Sequence, residues 1–170
     1  QQDEPKPKRE GLPSKVEGEI PLEWADALDW RSVGPACMGG RITDVAVNPD
    51  NPSEQWISTA TGGLLHTTNN GVTYEHQFDS QRVGSVGSVC VSRSNPKTVW
   101  VGTGEANPRN SVSFGNGVYR SLDSGATWDH MGLEDSFQIA EVRVHPDDDN
   151  TIYVAALGRL WGPNDERGLY

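Results

Sequence analysis

Three successive repeats of short, alternating strands predict an all-β chain built of four-stranded antiparallel sheets. Two spacings carry this reading. From Val45 to Val89 is 44 residues and from Val89 to Val142 is 53. Trp56, Trp100 and Tyr153 recur at the same two intervals. Composition is the third observation. The 170 residues include 19 glycines and 11 prolines, with only short apolar runs between them, a pattern of many turns and short strands. Four-strand units spaced roughly 45–55 residues apart are a signature of β-propeller blades. About two complete blades and a partial third are expected.

Each unit opens with an alternating strand: Ile42–Val47, Val86–Val91 and Ile139–Val144. A turn rich in Pro, Asp, Asn and Ser follows, the third being His145–Asn150. The second strands are Gln55–Thr59, Val99–Thr103 and Ile152–Ala156, and the third strands begin at Gly63, Gly117 and Gly168. The expected blades are residues 41–78, 83–132 and, in part, 138–170. The run Asp147–Asp149 lacks the glycine and distal glutamate of a dedicated calcium loop, so no metal site is assigned there.

Between the third and fourth strands of the second unit, Ser121–Trp128 reads S-x-D-x-G-x-T-W. Asp123 supplies a short carboxylate for backbone N–H groups, and Gly125 is free to take positive φ. Ser121, Thr127 and Trp128 complete the pattern. A looser copy lies 54 residues upstream, with Thr67, Asn69, Gly71, Thr73 and Tyr74 at the matching places. Both read as tight hairpin turns.

The first twenty residues are rich in Pro, Lys and Glu and nearly free of apolar side chains, which predicts a disordered tail or linker. Residues 21–29 form a short connecting segment, either a helical turn or irregular chain pinned by Trp24. Trp30–Gly34 resembles the fourth-strand string Trp128–Gly132 and suggests a closing strand for another blade. Residues 30–170 are thus expected to be the N-terminal part of a larger propeller, or a chain completed by a partner.

A net charge of −10 argues against nucleic acid as a partner. No stretch approaches 18 apolar residues, so no membrane-spanning helix is expected. The chain begins at Gln1, in keeping with a processed, secreted form. Its two cysteines, Cys37 and Cys90, either pair as a disulfide or serve as a loop thiol and a small core residue.

Up-and-down connectivity separates two ends of the sheets. The octapeptide turns share one end with the Pro/Asp turns and are scaffold. The other end carries long insertions, Gly104–Asn116 and Leu157–Arg167, and a ligand site is expected there. Trp161 has no repeat role and either stacks on a ligand or pins its own loop. Arg41, Glu105, Arg109 and Arg159 lie on the same rim and either bind a ligand or pair with one another. No nucleophile elbow, zinc-protease motif or paired-cysteine motif is present. No catalytic residue, cofactor or metal is assigned.

The two octapeptides resemble the Asp-box, or BNR repeat, of sialidases, xyloglucanase-type glycoside hydrolases and the sortilin ectodomain. Gly39–Asp44, Gly102–Glu105 and Trp161–Asn164 look like large secreted bacterial propellers of the sortilin-like and xyloglucanase-like type. That resemblance covers about Trp30 to Tyr170. It implies a secreted, periplasmic or cell-surface binding propeller for a protein, peptide or glycan. Alternatives are a glycoside hydrolase whose catalytic acids lie outside this stretch, and a structural subunit of a surface assembly. Xyloglucanase-type hydrolases carry an R-T-D-x-G-G string whose Asp is catalytic. The similar string here is Ser58–Gly63, with Ala60 at the acid position, so binding is expected rather than hydrolysis by this first blade.

Overall fold

The computed structural model describes residues 40–170. The tail, the connecting segment, Trp30–Gly34 and Cys37 lie outside the described residues. Cys90 is half-buried.

Eleven strands are described, in three antiparallel sheets. The first holds β1 (Ile42–Val47), β2 (Gln55–Thr59), β3 (Leu64–Thr67) and β4 (Glu75–His76). The second holds β5 (Val86–Val91), β6 (Val99–Thr103), β7 (Val118–Ser121) and β8 (Asp129–Gly132). The third holds β9 (Ile139–His145), β10 (Asp148–Ala156) and β11 (Gly168–Leu169). Strand order within each sheet follows chain order, as in propeller blades. The inner strands β1, β5 and β9 lie against one another. The third sheet departs from expectation in one respect. The segment from Asp148 to Asn150, read as turn, is already strand, and the register shifts between Asp148 and Ile152. The excess residues are absorbed as an irregularity in the ladder.

Strand alternation sends opposite rows to opposite faces, and consecutive sheets bury those rows against each other. Ala46, Trp56 and Leu64 of the first sheet, with Phe78 just beyond β4, meet Val86, Val89, Val99, Val101 and Tyr119 of the second. Trp100 and Val118 of the second meet Ile139, Val142 and Val154 of the third. The close approach needs glycine. A Cβ on Gly87 would lie 2.1 Å from the Ile139 carbonyl oxygen, and one on Gly102 would lie 2.5 Å from the Ile139 side chain.

Within the first interface the buried polar groups around Trp56 are paired, as burial requires. Trp56 stacks on His66 at 4.7 Å. The Gln77 amide donates to His66 Nδ1, and His66 Nε2 donates to Glu54. Trp56 Nε1 donates to Gln77 Oε1 and to the Ser124 carbonyl. At the matching place in the second sheet, Trp100 carries Arg120 over its ring.

The two octapeptide turns share one geometry. Asn70 and Gly71, and then Ser124 and Gly125, are successive left-handed residues. The hydroxyls of Thr67 and Ser121 accept the N–H of Gly71 and Gly125. Asn69 and Asp123 accept the N–H of Thr73 and Thr127 at 2.9 and 2.8 Å. The aromatic that closes each turn behaves differently. Trp128 Nε1 donates to the Gln77 carbonyl of the first sheet, and its ring meets Phe78 edge-on. Tyr74 is 50% exposed, because no described sheet precedes the one that carries it.

Hydrogen bonds from Thr127 hold the Asp123 carboxyl below the ordinary aspartate range. A depressed folded-state pKa stabilises the fold above the unfolded-state value and loses that contribution as pH falls through the folded one. Asp123→Ala is expected to cost about 1 kcal/mol at neutral pH. In urea melts at about pH 3 and pH 7, Asp123→Asn should lose less stability on acidification than the parent. Trp128→Ala should cost more, about 2–4 kcal/mol given partial burial, read in the same melts.

Candidate functional site

The insertion end is built on a repeated backbone frame. The N–H groups of Ala60, Gly104 and Leu157 donate to the carbonyls of Arg41, Ser85 and Gln138. These bonds tie the end of each second strand to the residue before its first strand. The hydroxyls of Thr59 and Thr103 donate to the carbonyls of Gly63 and Gly117 and accept the N–H of Gly62 and Asn116. The loops therefore leave from a rigid rim. The octapeptide turns lie at the opposite end, where the Asn70 and Ser124 N–H groups bond the Ser53 and Lys97 carbonyls of the Pro/Asp turns.

Two of the four rim charges pair. Arg41 forms an ion pair with Glu105. Glu105 is 1% exposed, and its carboxylate accepts no hydrogen bond from any other described group. Its backbone N–H donates to Ser85 Oγ and the Ser113 carbonyl. A buried carboxylate in that position depends on its cation, so the pair orders the start of the second-unit insertion.

The other three rim candidates line one cleft. Arg109, Arg159 and Trp161 border a cavity of about 450 Å³ with Asn110, Phe114 and Gln138. Trp161 is 77% exposed and Phe114 64%. Behind them Phe114 meets Phe137 edge-on at 6.0 Å, and the Arg159 guanidinium lies 4.3 Å from the Phe137 ring centre. Among the described residues neither Arg109 nor Arg159 forms an ion pair.

The Trp161 loop is held from below. Arg167 donates to the carbonyls of Leu157, Arg159 and Gly162. Asn164 donates to the Asp135 carbonyl. Gly158 has φ +71°, and a Cβ there would lie 2.2 Å from Asn164 Oδ1. Phe114, Gln138 and Arg167 were not singled out from sequence. Phe114 carries the same signal as Trp161, an aromatic in an insertion with no counterpart in the repeat. Gln138 precedes the first strand of its unit, and nothing local marks it.

Two acids of the sheets have structural occupations. Asp44 Oδ2 accepts the Ser88 hydroxyl and the Val89 N–H of the second sheet. Asp149 bonds Ser92 and Ser94 across the second and third sheets. Among the described residues no group of three His, Cys, Asp or Glu is placed to hold a metal ion. No described helix is long and apolar enough to cross a membrane. Ala60 is 1% exposed.

Glu105 held by Arg41 gives a double-mutant test. Arg41→Met should strand the buried carboxylate and cost about 3 kcal/mol in a chemical melt. Adding Glu105→Gln should recover most of that loss; an additive second loss would show that the charges are not coupled.

No family model matches the chain. A curated relative, a probable oligoxyloglucan-reducing end-specific xyloglucanase of Neosartorya fischeri, is 26% identical over 113 residues, 65% of this chain and 13% of the relative. Among solved structures, a GH74 enzyme of Niastella koreensis aligns with TM-score 0.51 and 26% identity, over 69% of this chain and 17% of that one. An ancestral GH74 enzyme aligns with TM-score 0.56 and 21% identity, over 74% and 19%. Both are β-propeller proteins, and this chain is a partial propeller of that kind. It spans less than a fifth of the length of each of these three proteins.

Proposed function

We propose that this chain is part of a secreted or cell-surface propeller that binds a glycan at its insertion end. The observation that carries the reading is the cleft between Phe114 and Trp161. Two exposed aromatic rings on loops, with amide and guanidinium groups beside them, form a stacking surface for a sugar ring with polar groups to orient it. The loop beneath Trp161 is already braced by Arg167 and Asn164, so less ordering is required on binding. Similarity to a probable xyloglucanase supports carbohydrate over protein or peptide as the ligand.

Within this reading the octapeptide turns are Asp-boxes of the BNR type, in the sortilin-like and xyloglucanase-like manner, and act as scaffold. The exposed faces carrying Val45 and Val47 at one side and Tyr153 and Leu169 at the other are covered by neighbouring blades in the assembled propeller.

A hydrolase reading has one observation in its favour, the same relative. Against it, the cleft is lined by no carboxylate among the described residues. Ala60 offers a buried methyl where a xyloglucanase-type acid would stand, and Asp44 is engaged between sheets. Glycoside hydrolysis needs two carboxyl groups across the scissile bond.

Trp161→Ala and Phe114→Ala in the full-length protein should each weaken binding of xyloglucan oligosaccharides by about threefold to tenfold in calorimetry, with the melting transition unchanged. Turnover of xyloglucan that disappears on replacing an acid within this chain would refute the binding assignment. Loss of binding that follows Asp123→Ala in a folded protein would move the ligand to the opposite end.

A further inference from the structure

Resting on the glycan-binding reading, we propose that the cleft selects a carboxylate-bearing glycan, an oligosaccharide containing uronic acid units. The chain carries 24 acidic and 14 basic residues, yet the two charged groups lining this cleft are both guanidinium, Arg109 and Arg159. Neither is neutralised by a described carboxylate within ion-pair distance. This contrasts with Arg41 on the same rim, which is spent on Glu105. An unpaired guanidinium presents a planar fork of donors matched to a carboxylate.

Arg159 also has a fixed orientation. Its guanidinium lies over the Phe137 ring, leaving its edges as donors, and its backbone carbonyl is held by Arg167. Arg159 and Phe137 also line a second groove, which holds Asp135, Asp165 and Glu166. Those acids repel an anion from that groove, which directs the ligand's carboxylate to the Arg109 side.

The two exposed aromatic rings favour a sugar over an acidic peptide. Gln138 is 3% exposed and lines the cleft. Its Oε1 is buried without a donor among the described groups. An unmet acceptor of this kind is costly, and any ligand donor that reaches it from the cleft, a sugar hydroxyl or a peptide N–H alike, offsets that cost. Phe114 and Trp161 then take the apolar faces of the sugar rings.

The test is calorimetric titration of the full-length protein with short oligogalacturonates, with the same oligomers after reduction of their carboxyl groups, and with oligoglutamate peptide. The oligogalacturonate is expected to bind at least about tenfold more tightly than its reduced form, with affinity falling as NaCl rises. Arg109→Gln and Arg159→Gln should each weaken the charged oligomer by a larger factor than the reduced one, narrowing the gap between the two. Near-ultraviolet circular dichroism confirms that the variants are folded. Equal binding of charged and reduced oligomers, still lost in Trp161→Ala, would overturn the anionic selectivity and leave the glycan cleft standing. Absence of binding by both oligomers and by xyloglucan oligosaccharides would overturn both. Tighter, arginine-dependent binding of oligoglutamate would overturn the glycan assignment in favour of an acidic peptide.

Discussion

Edge-to-edge bonding of the inner strands is the constraint on which the described structure depends. Asp44 in β1 accepts the Ser88 hydroxyl and the Val89 N–H of β5, and Ser88 Oγ accepts the Val142 N–H of β9. Thr43 adds a bond to the Val86 carbonyl. Ladder hydrogen bonds act only within a sheet, and hydrophobic packing alone does not fix how two sheets slide past each other. A carboxylate shared by two donors at the inner edge does fix it, because displacement would leave buried polar groups unpaired. The apolar rows then meet in register, and Gly87 and Gly102 let the third sheet approach within contact of the second.

This register divides the molecule by task. One end carries short turns whose polar groups are used in the scaffold, as in Ser121–Thr127, where the Ser121 hydroxyl and Asp123 carboxylate take part in four bonds within the turn. Such an end has little left to offer a ligand. The other end carries loops whose lengths differ from unit to unit. Only the backbone frame at their base repeats, so their side chains are free of the packing rules that govern the blades. Cleft and scaffold thus occupy opposite ends of the same strands, and substitutions at one end reach the other only through blade stability.

Much of the fold was legible because it repeats. Intervals of 44 and 53 residues between matching valines and aromatics follow from a structural demand: each blade must present the same rows to its neighbours. The Thr67 and Ser121 turns were legible because left-handed backbone is confined to few residue types. The start of β10 was not, since Asp148–Asn150 has turn composition and its strand character comes from pairing. The occupations of Asp44 and Asp149 were equally hidden, as both act between sheets rather than within one.

The rim shows the same boundary. Arg109, Arg159 and Trp161 could be nominated from loop length and from the absence of a repeat role. That Arg41 pairs with Glu105 while Arg109 and Arg159 stay unpaired could not, because pairing depends on distances set by three separate blades. By itself, the sequence determined the all-β class, the blade period, the strand order and the end at which loops accumulate, because each of these follows from local pattern and connectivity. Which rim charges neutralise one another, which aromatics frame a common cleft and which acids lock sheet to sheet were decided only by tertiary packing. Those contacts join residues from different blades, and local pattern carries no record of the distances between them.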